Sequence, residues 1–356
     1  MPPLPNQPRS LTAAQGLLSQ ATPILDVRSP GEFDQGCVPG STNLPILTDD
    51  ERAKVGVSYK HSGPDAAGAL GHELVAGDIK QARVEQWVAC IKANPTAKVM
   101  CWRGGQRSAI AQDWLSERGH SITRVEGGYK RLRRACIDTL DAASHDDKPW
   151  WVLAGRTGVH KTALLCSLPN AIDLEGLAHH RGSAFGAHPS PQPAPATFEN
   201  ALACAYLQHH HDTLVLEDES RTIGRLALPG NWHARMQRAP LVLLEADLQT
   251  RVANIVTEYV DQAIAAGQSP DQLQQHYRAA LERISRRLGG VLYRKIDKLI
   301  ERAFRDNHGH EDWVRSLLRD YYDPMYDYQL RKKQSRIRYQ GSMNEVRPYL
   351  EQLTKP

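Results

Sequence analysis

The stretch that decides the fold of this chain reads Val99-Met100-Cys101-Trp102-Arg103-Gly104-Gly105-Gln106-Arg107-Ser108. The apolar residues 97–100 predict a short buried strand, and residues 109–115 predict a helix. Cys101 therefore lies between a strand end and a helix start, where consecutive backbone N–H groups converge. Sites of parallel α/β sheets lie at this carboxyl edge, so the stretch predicts an α/β fold with a functional loop.

The residues around Cys101 predict a reactive thiol. Converging N–H groups and the guanidinium groups of Arg103 and Arg107 stabilise a thiolate and so favour a depressed pKa. Gly104 and Gly105 tolerate the positive φ angles that a loop curled around the sulfur needs. We therefore predict Cys101, Arg103 and Arg107 as catalytic residues. The rest of the predicted loop comprises Gly104, Gly105, Gln106 and Ser108. A buried structural cysteine beside an ordinary glycine-rich turn is the alternative.

Length and composition limit the classes of protein. A chain of 356 residues exceeds what one hydrophobic core usually supports, so we expect two domains and an appendage. The net charge of +4 permits nucleic-acid binding without requiring it. Six cysteines without a CxxC pair argue against structural zinc and a disulfide scaffold. Residues 1–10 lack the apolar core of a signal peptide, and no apolar run is long enough to span a membrane. We expect a cytoplasmic protein with no membrane partner.

Residues 1–140 predict one domain in which strands alternate with helices. Asp26 and Arg28, at the end of the first predicted strand, could tie down neighbouring loops. Residues 47–86 are rich in Ala, Glu and Lys, and they predict a helical insertion interrupted by Gly63-Pro64. Strands are predicted at residues 22–28, 41–44, 97–100 and 122–125.

A polar linker, residues 141–149, precedes a predicted P-loop α/β domain at residues 150–250. The strand Trp150–Ala154 leads into a glycine-containing loop and a helix. Backbone N–H groups of such a loop bind a diphosphate, Lys161 reaches a terminal phosphate, and Thr162 can bind Mg²⁺. His160 stands where a P-loop usually has glycine, and the alternative is a simple glycine-rich turn. The predicted diphosphate-binding residues are Gly155, Thr157, Gly158, Lys161 and Thr162.

Carboxylates follow a second apolar run of this domain. Residues 213–216 predict a strand that ends at Glu217 and Asp218, where a carboxylate can hold Mg²⁺ through water or accept a proton. A helix cap is the alternative role. The predicted polar or magnesium site comprises Asp173, Glu175, Arg181, Glu217, Asp218 and Arg221.

Residues 251–356 predict a mainly helical region with basic side chains at helical spacing, including Arg283, Arg287 and Arg305. Tyrosines at positions 321, 322, 326 and 328 are interleaved with basic residues. Such surfaces suit phosphate backbones and unstacked bases, whereas interspersed acidic residues favour an ordinary solvated helical face. The two possibilities are therefore a tRNA-binding surface, which we predict, and an ordinary solvated surface.

Two resemblances unite these motifs. The segment Leu25-Asp26-Val27-Arg28-Ser29-Pro30-Gly31-Glu32-Phe33, the Cys101 loop and Gly127-Gly128 resemble a rhodanese domain. Arg107 lies one residue further from the cysteine than in common single-domain rhodaneses, a spacing that rhodanese-like phosphatases show. The P-loop, Asp173-Leu-Glu-Gly-Leu-Ala-His-His-Arg-Gly182 and Tyr321-Tyr-Asp-Pro-Met-Tyr326 complete a pattern similar to bacterial tRNA 2-selenouridine synthases. This likeness extends over nearly the whole chain.

The resemblance implies chemistry at wobble 2-thiouridine in the anticodon loop of tRNA. The family geranylates that sulfur with geranyl diphosphate and then replaces the geranylthio group with selenium from selenophosphate. Cys101 would carry the selenium, and the P-loop would hold the diphosphate leaving group. No tightly bound cofactor is expected, Mg²⁺ is a possible ion, and a selenophosphate-producing enzyme is a possible transient partner.

Other classes remain open from the residues alone. The chain could be a rhodanese-like sulfurtransferase or phosphatase coupled to a P-loop ATPase or kinase domain. A non-catalytic RNA-binding protein is a further possibility, although it leaves the Cys101 loop unexplained.

Overall fold

The structure is a computed structural model that describes residues 11–353. Residues 1–10, for which the sequence predicts no signal peptide, lie outside the described part. Among residues 11–353, no helix combines the length and apolar character that crossing a membrane requires. The described residues divide into two compact units, residues 11–145 with 193–208 and residues 146–192 with 209–353.

The first unit contains a parallel four-stranded sheet in the order β2-β1-β3-β4. Its core comprises buried residues such as Leu25, Val99 and Leu115, which come from the sheet and from helices. The predicted parallel α/β architecture is confirmed. In chain order its elements are α1 Ala13–Ser19, β1 Ile24–Asp26, α2 Pro30–Asp34, β2 Ser41–Asn43, α3 Asp49–Leu74, α4 Gly77–Ala93, β3 Lys98–Met100, α5 Gln106–Glu117, β4 Thr123–Arg124 and α6 Gly128–Ala143.

The predicted insertion consists of α3 and most of α4. Helix α3 begins at a capping box, in which Glu51 N donates to the Thr48 hydroxyl at 3.3 Å and Thr48 N donates to the Glu51 carboxylate at 2.7 Å. Gly63 has φ of +83° before Pro64, so the backbone leaves helical geometry there and the helix kinks. The insertion is therefore a bent helix followed by a second helix.

The second unit begins with a strand, a loop and a helix, as predicted for a P-loop. Strand β5 spans Trp150–Ala154, and α7 spans Lys161–Cys166. A short strand, β6 Ala171–Ile172, and a short helix, α8 Leu174–Ala178, follow.

The next helix, α9 Pro195–Leu207, packs in the first unit although the sequence analysis placed it within residues 150–250. Phe198 and Leu202 are buried in its apolar face. Asn200 Nδ2 donates to the Cys37 carbonyl at 2.8 Å, and Arg133 donates to Asn200 Oδ1 at 3.0 Å. Apolar burial and these hydrogen bonds place α9 in the first unit.

The remaining elements complete a parallel five-stranded sheet in the order β11-β10-β5-β7-β6 and a helical region. They are β7 Leu214–Glu217, β8 Thr222–Ile223, β9 Leu226–Ala227, α10 Gly230–Met236, β10 Leu241–Leu244, α11 Leu248–Val256, α12 Gln262–Ala265, α13 Pro270–Arg283, α14 Ser285–Leu288, α15 Gly290–Asp306, α16 His310–Leu317, α17 Asp323–Lys333, β11 Ile337–Gly341 and α18 Met343–Gln352. Thr257–Asp261 and Leu318–Tyr322 form π-helical turns.

The C-terminal region is mainly helical, as predicted, but it also supplies a strand that the sequence analysis missed. Strand β11 pairs in parallel with β10 at the edge of the sheet. Its residues alternate between half-buried and exposed, so it lacks the continuous apolar run that identifies the central strands. The helices that precede it bury a separate core, which includes Tyr277, Ile300 and Trp313.

A buried ion pair organises the end of strand β1. The side chains of Asp26 and Arg28 are fully buried, and Arg28 donates to the Asp26 carboxylate at 2.7 and 2.9 Å. Arg28 also donates to the carbonyls of Glu32 at 3.1 Å and Gly36 at 2.9 Å. Its guanidinium carbon lies 3.9 Å from the centre of the Tyr129 ring. One side chain thus joins β1, α2, the turn after α2, and α6.

Replacing Arg28 with methionine should destabilise the first unit by about 3–5 kcal/mol, because Asp26 would remain as an unpaired buried charge. Lys80→Met, which removes the exposed Lys80–Glu117 pair, should cost less than about 1 kcal/mol. Urea unfolding followed by circular dichroism measures both values. Similar losses in the two variants would contradict the role assigned to Arg28.

Candidate functional site

Cys101 directly follows strand β3, at the carboxyl edge of the sheet in the first unit. Its side chain is 3 % exposed, and the thiol donates to Ser108 Oγ at 3.3 Å. The Ser108 hydroxyl in turn donates to the Gly105 carbonyl at 3.0 Å. A hydroxyl can rotate, so Ser108 can donate to the sulfur once the thiol has lost its proton. Ser108 is therefore a direct polar partner of the sulfur.

The Cys101 loop is held by the start of helix α6. Tyr129 N donates to the Cys101 carbonyl, and Lys130 N donates to the Trp102 carbonyl, both at 2.9 Å. Gly128 has φ of +57°, and a Cβ there would lie 2.2 Å from the Cys101 carbonyl oxygen and 2.5 Å from Gly104 N. Only glycine permits this approach of the two backbones. The Gly127-Gly128 turn thus fixes the shape of the loop.

The two predicted arginines have different environments. Arg103 is exposed, whereas Arg107 is half-buried and donates to the Glu32 carboxylate at 2.5 and 3.0 Å. Burial by itself would lower the pKa of the Arg107 guanidinium, but the bonds and the charge of Glu32 outweigh burial and raise it. Both arginines are predicted to act on the sulfur. The structure gives Arg107 a carboxylate partner, and attraction to Cys101 is a further cause that raises the pKa of Arg107.

Glu32 is a site residue that the sequence analysis missed. Burial opposes its ionisation, yet the hydrogen bonds from Arg107 hold the pKa of its carboxyl below the ordinary value. Glu32 Oε2 also accepts from Ser29 N at 3.1 Å, in the capping box that begins α2. The Ser29-x-x-Glu32 spacing indicates a cap, but its contact with Arg107 depends on tertiary structure.

The predicted P-loop connects β5 to α7, and two of its glycines make close backbone contacts. A Cβ on Gly155 would lie 2.6 Å from the Leu244 carbonyl oxygen, and one on Gly158 would lie 2.7 Å from the Arg251 carbonyl oxygen. Gly158 has φ of +86°, which favours glycine. The loop therefore packs directly against the end of β10 and against α11.

Lys161 and Thr162 begin helix α7 and point their polar groups into the loop region. Lys161 Nζ donates to the Gly155 carbonyl at 2.8 Å, and Thr162 Oγ1 donates to Glu175 Oε2 at 2.9 Å. An ammonium group and a helix start at the same place favour an anion. The arrangement can bind a diphosphate if Lys161 exchanges its carbonyl partner for a phosphate oxygen.

His160 replaces the usual glycine and keeps the conformation that glycine would have. Its φ and ψ are +64° and +41°, in the left-handed region. The loop thus retains its course despite the side chain, at a backbone cost of about 1–2 kcal/mol for a residue with a Cβ.

Residues of the helical region hold the P-loop from outside, and the sequence analysis missed this role. The guanidinium of Arg251 is buried, pairs with Asp323 at 2.7 and 2.8 Å, and donates to the Thr157 carbonyl at 3.3 Å. Asn254 Nδ2 donates to the Gly158 carbonyl at 2.8 Å. These contacts join the P-loop to α11 and α17, which are distant in sequence.

Four carboxyl groups, those of Asp173, Glu175, Glu217 and Glu219, influence one another, and the charges of Glu175 and Glu219 also interact with Lys161. Burial raises the pKa of Glu217 well above its ordinary value, and the charges of Asp173 and Glu175 add to the effect. Burial, together with the charge of Glu175, raises the pKa of Glu219 to about 8. Burial also raises the pKa of Glu175, against the lowering influence of Lys161. Glu219 is a further residue that the sequence analysis left out of the site.

The other predicted residues of the polar site are engaged elsewhere. Asp218 pairs with Lys333 at 2.7 Å, Arg181 pairs with Glu258 at 2.8 Å, and Arg221 is exposed. Asp173 caps helix α8 by accepting from Gly176 N at 2.7 Å. Within residues 11–353 no group of three or more His, Cys, Asp or Glu side chains is arranged to hold a metal ion.

The predicted aromatic and basic surface is only partly exposed. Tyr322 is buried, so its ring is not available for stacking on bases, and Tyr321 is half-buried against the helical core. Tyr328 is exposed, with Lys332 Nζ 4.2 Å from its ring centre. The basic side chains of α13 to α15 face solvent, as predicted. They are Arg283, Arg286, Arg287, Arg294, Lys295, Lys298, Arg302 and Arg305.

Replacing His160 with glycine should stabilise the second unit by about 1 kcal/mol, because glycine adopts the left-handed conformation without the Cβ penalty. His160→Ala is the matched control, since alanine keeps the Cβ. Thermal unfolding of the three proteins measures the effect. A glycine variant no more stable than the alanine variant would show that the His160 backbone is not strained.

Two family models match the chain. Residues 148–355 match the family model for the tRNA 2-selenouridine synthase AAA domain, and residues 10–135 match the model for the rhodanese-like domain. The tRNA 2-selenouridine synthase of Hydrogenovibrio crunogenus is 45% identical over 343 residues, which cover 93% of this chain and 95% of that protein. The synthase of Marinobacter nauticus is 43% identical, over 90% of this chain and 91% of that protein. The chain therefore belongs to the tRNA 2-selenouridine synthase family.

Proposed function

We propose that this protein converts 2-thiouridine to 2-selenouridine at the wobble position of tRNA. One observation carries the proposal: a strand-end cysteine loop and a P-loop with Lys161 occur in the same chain, each in its own compact unit. The names of the relatives support the overall reaction. The two loops suit two different leaving groups, and we therefore assign one chemical step to each.

The first proposed step is transfer of a geranyl group from geranyl diphosphate to the sulfur of 2-thiouridine. A bond forms between sulfur and C1 of the geranyl group, the C1–O bond breaks, diphosphate leaves, and the base loses the proton on N3. The leaving diphosphate develops negative charge, which Lys161 and the start of α7 stabilise. Gly155, Thr157 and Gly158 shape the loop around it. Thr162 and Glu175 supply the oxygen ligands that Mg²⁺ prefers and would hold that ion beside the diphosphate.

The second proposed step replaces the geranylthio group with selenium. Overall, a C2–Se bond forms, the C2–S bond breaks, geranyl thiol leaves, and the P–Se bond of selenophosphate is hydrolysed to phosphate, so no oxidant or reductant is consumed. We assign Cys101 as the residue that carries the selenium in this step, because the loop of residues 101–108 encloses its sulfur. Ser108 hydrogen-bonds the sulfur, and Arg103 is the exposed cation of the same loop.

The proposed substrate is the anticodon loop of tRNA, whose single-stranded base can enter a pocket without melting a duplex. Exposed basic side chains of α13 to α15 would contact its phosphates. A selenophosphate-producing enzyme is a proposed transient partner, and the cytoplasm is the proposed location. A rhodanese-like phosphatase is disfavoured, because the Arg107 guanidinium that would bind a phosphate ester is paired with Glu32.

Lys161→Ala should slow geranyl transfer about 100-fold, because it removes the cation that faces the leaving diphosphate. Lys92→Ala, which removes an exposed lysine of the first unit, is the matched control. Mass spectrometry of nucleosides, after incubation of a 2-thiouridine stem-loop with geranyl diphosphate, measures the product. Unchanged geranylation in the Lys161 variant, or hydrolysis of ATP by the wild-type protein without any change in the base, would contradict the assignment.

Cys101→Ser should reduce selenation at least about 1000-fold, as loss of an essential nucleophile does, while geranyl transfer continues. Cys90→Ser, at a half-buried thiol of the same unit, should leave both steps intact. The assay supplies selenophosphate to a stem-loop that has already been geranylated, and again measures nucleosides. Equal loss of both steps in Cys101→Ser would refute the assignment of one step to each unit.

A further inference from the structure

An apolar groove lies between the inserted helix α3 and helix α5 in the first unit. It encloses about 110 Å³, and apolar side chains form most of its wall. These include Ile46, Leu47, Val55, Val75, Ile110 and Trp114. Tyr59 also lines the groove, with 59% of its surface exposed. The inserted helix α3 thus contributes one wall of an apolar cavity.

Two residues of the Cys101 loop line the groove. They are Gln106 and Arg107, the first residues of α5, while Ser108 at the next position hydrogen-bonds the Cys101 sulfur. Attraction to Cys101 is one of the causes that raise the pKa of Arg107, and Cys101 belongs to the same apolar cluster as Leu47, Val75 and Trp114. The groove thus lies beside the loop that carries the sulfur.

The groove combines an apolar wall with charge on one side. Arg107 lines it and pairs with Glu32, and both side chains are partly exposed. Water inside such a cavity is readily displaced by hydrocarbon, because burial of apolar surface is favourable. The lining thus fits a ligand that has a flexible hydrocarbon chain joined to a polar group, rather than a phosphate backbone alone.

We propose that this groove binds the geranyl chain of the S-geranylated base during the selenation step. The inference rests on the proposed function, in which a base that carries a ten-carbon chain must reach Cys101. The chain would lie along Val55, Ile110 and Trp114, and C2 of the base would face the sulfur. The groove would also retain the geranyl thiol as it leaves. This occupant accounts for the insertion, which neither the sulfur chemistry nor the sheet requires.

Two glycines of α3 allow a clean test. Gly68 lines the groove, and a Cβ on Gly68 would have no atom within 4 Å, so Gly68→Leu fills the cavity without a clash at the backbone. Gly56 lies on the same helix, is exposed, and also has open space around a Cβ. Gly56→Leu is therefore a matched control with the same added volume outside the groove.

The experiment uses the full chain and synthetic stem-loops that carry S-geranyl-2-thiouridine or S-methyl-2-thiouridine. We expect Gly68→Leu to weaken equilibrium binding of the geranylated stem-loop, and to raise its KM for selenation, by at least about tenfold, because several methylenes lose their apolar contacts. The methylated stem-loop should bind the two proteins equally. Gly56→Leu should behave as wild type with both ligands.

The outcomes separate this inference from the proposed function. Equal binding of the geranylated stem-loop by Gly68→Leu and wild type would overturn the groove assignment, and so would an equal loss for the geranylated and methylated ligands. If the wild-type protein makes no geranylated base from geranyl diphosphate, the proposed function fails. The synthetic ligands would still report in that case whether the groove binds the chain.

Discussion

The guanidinium of Arg28 is completely buried, and hydrogen bonds and aromatic rings surround it. It pairs with Asp26, donates to the carbonyls of Glu32 and Gly36, and lies against Tyr129. Trp102 of the Cys101 loop also lies beside it, with its ring centre 5.8 Å from the guanidinium carbon. The positions of α2, of the cysteine loop and of α6 therefore depend on one buried charge. Glu32, which the same arginine positions through its carbonyl, is the residue that pairs with Arg107.

A second buried arginine has a comparable role in the other unit. Arg251 pairs with Asp323 and donates to the P-loop at Thr157, so a helix and a distant turn fix the loop from outside. Both loops also depend on glycines where two backbones meet, at Gly128 and at Gly158. Hydrogen bonds and close backbone contacts from other elements thus hold both the loop that carries the Cys101 sulfur and the P-loop. In each unit the surrounding structure therefore supplies the rigidity.

Burial reduces the negative charge of the carboxyl groups beside the P-loop. Because burial raises the pKa of Glu217 and Glu219, these groups hold their protons at neutral pH to a greater extent than exposed glutamates. Glu175 and Glu219 are the carboxyl groups whose charges interact with Lys161. The ammonium group of Lys161 therefore meets less negative charge than fully ionised carboxylates would give.

The sequence by itself determined the parallel α/β architecture, the strand-end position of Cys101 and the P-loop between β5 and α7. These features depend on local patterns: apolar runs, glycines and residues a few positions apart. Only the tertiary structure decided that Arg107 pairs with Glu32, that Arg251 holds the P-loop, that α9 packs in the first unit and that β11 joins the sheet. The named side-chain contacts join residues 67 or more positions apart, and β11 is an edge strand with half-polar alternation. Local periodicity carries no signal for them, because the free energy that selects them comes from burial and pairing across the folded chain.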